Sequence, residues 1–191
     1  MHSRNNRLCG KEHNPMDITK LKRGMNIDLK PWTPEAEENG KRYCKIIKEA
    51  GFDHVRLPVT FASHLDADGT INAEYLEAVD KAVIAALSND LTVVIDLHHY
   101  GDLKTNFEVN KANFYSIWEQ LAKHYKNYPN RVIFELLNEP STVDGAVSAM
   151  TSDSLNEIQL AVVNKIRAID SDRIIALAVF NNNSAYSLQS L

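Results

Sequence analysis

An amide and a carboxyl group stand side by side at Asn138-Glu139, behind the apolar run Val132-Ile133-Phe134-Glu135-Leu136-Leu137 and directly before Pro140. Such a run reads as a strand buried on both faces. Proline lacks a backbone N–H and biases the preceding residue away from helix, so the strand is expected to stop there. Asn138 and Glu139 then occupy the C-terminal lip of a buried strand, where α/β folds gather their chemistry. A carboxyl group so placed can act as a general acid or base. Alone, the pattern fits a strand end with a solvated glutamate equally well.

Other chemistry-bearing residues fall in comparable places. Arg56 lies in the second strand candidate, Asp53-His54-Val55-Arg56-Leu57-Pro58. His98 and His99 close the third, Leu91-Thr92-Val93-Val94-Ile95-Asp96-Leu97. Asn26 lies in a short first candidate, Arg23-Gly24-Met25-Asn26-Ile27-Asp28. Asn26, Arg56, His98, His99, Asn138 and Glu139 are thus expected at the C-terminal ends of strands one to four, feeding one mouth. Adjacent strand residues point to opposite faces, and no third ligand stands at metal spacing. His98 and His99 are therefore not read as zinc ligands, and no metal or other cofactor is expected. Asp96 and Glu135 lie within apolar runs and read as internal, hydrogen-bonded groups rather than catalysts.

Helical patterns separate these strands. Thr33 and Pro34 suit the start of a helix, with Glu35, Glu37 and Glu38 complementing its dipole. It is expected to run to Ala50, with Tyr43, Ile46, Ile47 and Ala50 on one face, and to end at Gly51. A second helix, 74–88, shows Leu76, Val79, Val83 and Leu87 at helical spacing. A third, 110–127, is expected to bury Phe114, Ile117 or Trp118, Leu121 and Tyr125. A fourth, 152–170, carries the stripe Leu155, Ile158, Val162, Ile166 and Ile169. Arg173–Phe180 reads as a fifth strand, and Asn181-Asn182-Asn183-Ser184 as the cap of a final helical stub. Strict alternation of this kind calls for a parallel sheet with crossover helices. An open doubly wound sheet fits the alternation too. No glycine-rich phosphate loop follows the first strand, which disfavours a dinucleotide fold. The reading is an α/β chain forming a partial, half TIM-type (β/α) barrel of about five parallel strands and four crossover helices over residues 21–191, preceded by a poorly ordered arm, 1–20.

The composition bounds the possible partners. The chain has 191 residues, 44% hydrophobic and 24% charged, with net charge −4. The acidic balance argues against nucleic acid. No apolar run reaches membrane-spanning length. Met1–Arg7 carries charge with no apolar stretch behind it, so no signal peptide is visible. Of the two cysteines, Cys44 sits among apolar helix positions as a buried small hydrophobe and Cys9 falls in the arm.

The strand ends together resemble glycoside hydrolase family 5. The likeness rests on Val55-Arg56-Leu57-Pro58, on Asp96-Leu97-His98-His99-Tyr100 and on Phe134-Glu135-Leu136-Leu137-Asn138-Glu139-Pro140. Gly51-Phe52, Trp118, Ala122-Lys123-His124-Tyr125 and Tyr128-Pro129 support it. The resemblance implies Glu139 as general acid/base and Asn138 as the amide that bonds the sugar 2-hydroxyl. It implies Arg56 as the support of the nucleophile carboxylate, and His98 and His99 as cleft residues. It implies β-1,4-glucan substrates, with mannan sometimes accepted, and suggests secretion. Trp32 and Tyr100, in loops at the same mouth, are expected either to stack on sugar rings or to pack the rim. The glycosidic bond breaks through an oxocarbenium-like state, so the acid's pKa has to lie near the working pH, which burial at a strand end can achieve.

The sequence also departs from the family. A complete barrel needs about 250 residues. The family's nucleophile, a glutamate near the seventh strand, has no counterpart here, and no Asp or Glu follows Asp172. The family's histidine and tyrosine of the sixth-strand region are likewise missing. A half-barrel leaves open strand edges, so a homodimer through those edges is expected. Two readings follow: a β-1,4-glucanase completed by assembly, or a carbohydrate-binding or purely structural half-barrel without catalysis.

Overall fold

The computed structural model describes residues 16–28 and 36–190. Five strands form one parallel sheet in the order β1-β2-β3-β4-β5: Gly24–Asn26, His54–Val59, Thr92–Leu97, Val132–Glu135 and Ile175–Ala176. The order settles the architecture. A doubly wound sheet reverses strand order at a switch point, whereas a barrel adds each strand beside the last. This is the sequential pattern of a partial (β/α) barrel.

The helices are α1 Ala36–Glu49, α2 Ala73–Ser88, α3 Gly101–Thr105, α4 Phe107–Tyr125 and α5 Ser152–Ile169. Their ends obey local chemistry. Asn72 Oδ1 accepts from the Tyr75 amide at the start of α2, and Thr151 and Ser154 form a capping box on α5. Gly51, at φ 83°, ends α1: its amide bonds Lys48 O at 2.9 Å and the Phe52 amide bonds Ile47 O at 3.2 Å. That pair of bonds is the Schellman motif, which needs a left-handed residue at the position of Gly51. The cap expected at Thr33 and Pro34, the Cys9 placement and residues 1–15 of the expected arm lie outside the described residues. Within the remainder of that arm, Asp17 caps a 3-10 turn, Ile18–Lys20.

The core lies between the sheet and the helices. Val55, Leu57 and Val59 of β2, Val93, Ile95 and Leu97 of β3, and Phe134 are buried. The Trp118 ring of α4 packs 5.3 Å from Phe134, and its Nε1 donates to Leu136 O at 3.1 Å. Ile117 and Trp118 are both fully buried, so α4 presents a wider apolar face than one stripe. On α1 the expected stripe is rotated. Cys44 and Ile47 are buried, while Tyr43 and Ile46 are 41% and 52% exposed. The reason is position: α1 packs chiefly on α2, while Tyr43 and Ile46 line an open groove with Met25 and Asn26 of β1. Burial pushes the Cys44 thiol up to about 11, which leaves it inert as a nucleophile.

Two strand ends differ from expectation. Pro58 does not stop β2, which continues to Val59. Arg56 O accepts from Ile27 N, so the same edge of Pro58 faces β1, which has already ended. Its missing N–H costs no ladder bond there. In β4 the regular pairing ends at Glu135, well before Pro140, though Leu136 N still bonds Ala176 O and Asn138 N bonds Leu97 O. β5 is reduced to two residues; the Asn181–Asn183 stretch is left-handed, and the expected final stub follows Ser184 as a 3-10 helix, Ala185–Ser190.

One buried cation ties β4 to the chain behind it. Arg173 is fully buried and donates to Asp170 and to the carbonyls of Tyr125, Tyr128, Pro129 and Val132. Its guanidinium lies 5.3 Å from the Phe134 ring centroid. Burial lowers its pKa and the Asp170 charge opposes that.

Candidate active site

The inner face of the sheet is polar where the outer face is apolar. Period-two alternation puts His54, Arg56 and Pro58 opposite the buried Val55, Leu57 and Val59. Register sets Arg56 beside Val94, and Asp96 beside Glu135. Arg56 therefore stands in the middle of β2 rather than at its end, and the length of its side chain carries the charge toward the mouth.

The guanidinium is the hub. Nε donates to Glu135 Oε2 and Nη2 to Glu135 Oε1, each at 2.7 Å. Nη2 also donates to Asn138 Oδ1 at 3.0 Å and lies 2.9 Å from Asp96 Oδ2. Arg56 thus fixes the Asn138 amide by its oxygen, leaving the two N–H donors of that amide for a ligand. The hydrogen bond to Glu135 holds Arg56 above its usual pKa against the burial that opposes it. Asp96 and Glu135 are internal partners of Arg56, as their places in apolar runs suggest.

Asp96 is fully buried, and its Oδ1 has no hydrogen-bond partner among the described residues. Burial, then the Glu135 charge, push its pKa up to about 8, with Arg56 pulling the other way. Its Oδ2 lies 2.5 Å from His98 Nδ1. Burial, then the charges of His99 and Arg56, lower the His98 pKa. Near neutral pH the contact is accordingly a carboxyl–imidazole hydrogen bond rather than an ion pair.

His98 and His99 do not point to opposite faces. β3 ends at Leu97 and His99 turns into the left-handed region at φ 53°, so the strand alternation no longer applies. Their rings meet edge to face with centroids 4.1 Å apart. His98 is half-buried and His99 exposed. Among the described residues no group of three His, Cys, Asp or Glu could hold a metal ion.

Glu139 is exposed and also left-handed, at φ 45°. The burial expected of it is not supplied by the described residues. Asn138, by contrast, is 8% exposed. The Glu139 carbonyl accepts from Lys104 Nζ at 2.5 Å. Lys104 went unremarked in the sequence because no periodicity or motif marks a lysine in a loop helix. Of the two alternatives for Tyr100, the structure shows packing rather than a ring open to a sugar. Tyr100 is 4% exposed, its hydroxyl donates to Asn110 O at 3.2 Å, and burial pushes its pKa up to about 12. It packs beneath the loop and presents no ring to a ligand. Asn26, exposed at the end of β1, lines an open groove with Met25, Ile27 and Tyr43 and makes no hydrogen bond into the Arg56 network among the described residues. Trp32 lies outside the described residues.

Sequentially added parallel strands, with carboxyl, amide, guanidinium and imidazole groups collected toward their C-terminal ends, define part of a (β/α) barrel with its chemistry at one mouth. The chain belongs to the cellulase family, glycosyl hydrolase family 5, whose model matches residues 9–189. It is 31% identical over 183 residues to Cellodextrinase A of Ruminococcus flavefaciens, covering 86% of this chain and 53% of that protein. It is 29% identical over 185 residues to Endoglucanase 1 of Ruminococcus albus, covering 91% and 45%. Its fold is similar to that of endoglucanase Cel5A from Thermotoga maritima, with TM-score 0.79 and 33% identity over 90% of this chain and 55% of that one. The chain spans about half the length of the curated relatives it matches. No described helix is long and apolar enough to cross a membrane.

Proposed function

We propose that this protein acts in the hydrolysis of β-1,4-glucan, with Glu139 as general acid/base and Asn138 as the donor to the sugar 2-hydroxyl. The observation that carries the reading is the Arg56–Asn138 bond beside Glu139. It fixes an amide with its donors free, next to an exposed carboxyl, at the mouth of a partial barrel of this family. The acid protonates the leaving oxygen while the amide bond strengthens as the ring gains positive charge. His98 and His99 line the cleft. Arg56 would steady a nucleophile carboxylate as well as the two it already holds.

That second carboxylate has to come from elsewhere. Asp96 and Glu135 are engaged by Arg56. Retaining enzymes place the two carboxyl groups about 5–5.5 Å apart and inverting ones about 6.5–9.5 Å. In this reading a second copy, docked through the open edges of β1 and β5, supplies the group. Among the described residues each of those strands has one neighbour only, and Met25 and Leu177 are exposed beside them.

The test is hydrolysis of carboxymethyl cellulose by the purified protein and by Glu139→Gln. The substitution is expected to remove most of the turnover, and equal activity in both proteins sinks the assignment. Light scattering after size exclusion should give a dimer; a folded monomer at micromolar concentration overturns the assembly. A second reading, sugar binding without turnover, is favoured by the commitment of Asp96 and Glu135 to Arg56. Binding of cello-oligosaccharides with no hydrolysis selects it.

A further inference from the structure

Glu139 adopts a backbone conformation that L side chains with a Cβ seldom take, and it persists only where surrounding structure enforces it. Three contacts surround it. The Asn138 amide donates to Leu97 O at 3.0 Å, and the Pro140 carbonyl accepts from Asn182 N at 2.9 Å. Between them, the Glu139 carbonyl accepts from Lys104 Nζ at 2.5 Å.

Lys104 is itself built into place. It sits on α3, whose neighbour Leu103 is fully buried. The end of α3 is tied to the loop behind β4: Val147 N bonds Thr105 O at 2.9 Å, and Phe107 N bonds Ser148 O at 3.0 Å. Glu108 N bonds Ser148 Oγ at 3.0 Å. The ammonium is half-buried and makes no ion pair among the described residues. Surface lysines such as Lys41 and Lys123 instead pair with a glutamate on their own helix. Burial lowers the Lys104 pKa and the charge of Glu139 opposes it.

We propose that Lys104 is a positioning residue for Glu139: its ammonium holds the Glu139 carbonyl and thereby the left-handed turn that presents the carboxyl to the mouth. The role in turnover rests on Glu139 being the general acid/base. The contact itself does not. It couples the loop after β3 to the end of β4, so the acid is aimed by a neighbouring βα-loop as well as by its own strand.

Glu139-Pro140 is the sole Glu-Pro pair in the chain. Glutamate labelled with carbon-13 at the carbonyl, combined with nitrogen-15 proline, therefore gives one NMR signal that reports on the Glu139 carbonyl. Lys104→Met should move that signal upfield while the fold, followed by circular dichroism, is kept. Lys104→Arg should leave it near the wild-type position. In hydrolysis assays Lys104→Met should lower kcat about ten-fold with KM changed less than about two-fold, and Lys104→Arg should recover most of the loss. An unmoved carbonyl signal in Lys104→Met overturns the contact. A moved signal with unchanged kcat overturns the positioning role. Wild-type protein without hydrolysis removes the proposed activity and with it the kinetic role, while the carbonyl signal still decides the contact.

Discussion

The Arg56 guanidinium reaches from β2 across β3 to grip the Glu135 carboxylate of β4 with two parallel hydrogen bonds of 2.7 Å. Asp96, on the strand between them, completes the cluster at 2.9 Å. Two carboxyl groups thus share one fixed cation on the inner face of the sheet. A planar fork suits this geometry in a way that a point-charge ammonium does not.

Removing the fork leaves the Glu135 carboxylate without its counter-charge and the Asp96 carboxyl and the Asn138 amide without their shared donor. The Asp96 side chain has no exposure, whereas Arg56 and Glu135 retain 21% and 18%. Arg56→Met is therefore expected to cost about 3 kcal/mol, near the lower end of the range for breaking a buried pair. Urea unfolding at neutral pH measures it. A loss below about 1 kcal/mol would place the cluster with exposed ion pairs and contradict the account.

Asp96 makes stability depend on pH with a definite sign. Its folded pKa, about 8, lies above the unfolded carboxyl value, so the native state binds its proton more tightly. The stabilisation is complete below the unfolded value of about 3.9 and is lost progressively as pH rises through the folded value. His98, held low by burial, acts in the opposite sense. Asp96→Asn cannot ionise, so its stability should fall less steeply than that of the wild type between about pH 5 and pH 8. Parallel stability curves for the two proteins would show that Asp96 does not titrate in that window.

Arg173 offers a test at the opposite end of β4. Its nitrogens are taken by Asp170 and four backbone carbonyls in a fully buried site. Lysine has three donors from a single point and cannot reproduce that spread. Arg173→Lys should lose about 3 kcal/mol in chemical unfolding, because carbonyls and Asp170 stay buried without partners. Wild-type stability in this variant would mean that water replaces the missing bonds.

The succession of elements was open to reading in the sequence because short-range rules govern it. The apolar runs before His98 and Asn138 mark β3 and β4, the stripe Leu155, Ile158, Val162 and Ile166 marks α5, and Gly51 ends α1. The family motif is equally local, which is why Asn138, Glu139, His98 and Arg56 stood out. Strand ends were less legible. Pro58 breaks a ladder only if its bonding edge faces a partner, and that depends on where β1 stops.

By itself, then, the sequence determined the alternation of strands and helices, the barrel-type reading and the identity of the polar groups at the mouth. Tertiary structure decided how those groups are used. Arg56 became a hub for Glu135, Asp96 and Asn138, residues separated from it by up to 82 positions in the chain. Tyr100 became a buried support, His98 and His99 came to one side, and Lys104 met the Glu139 backbone. Each of these outcomes depends on strand register and on left-handed turns after the strands. Such features arise only when distant segments pack together, and no local pattern encodes them.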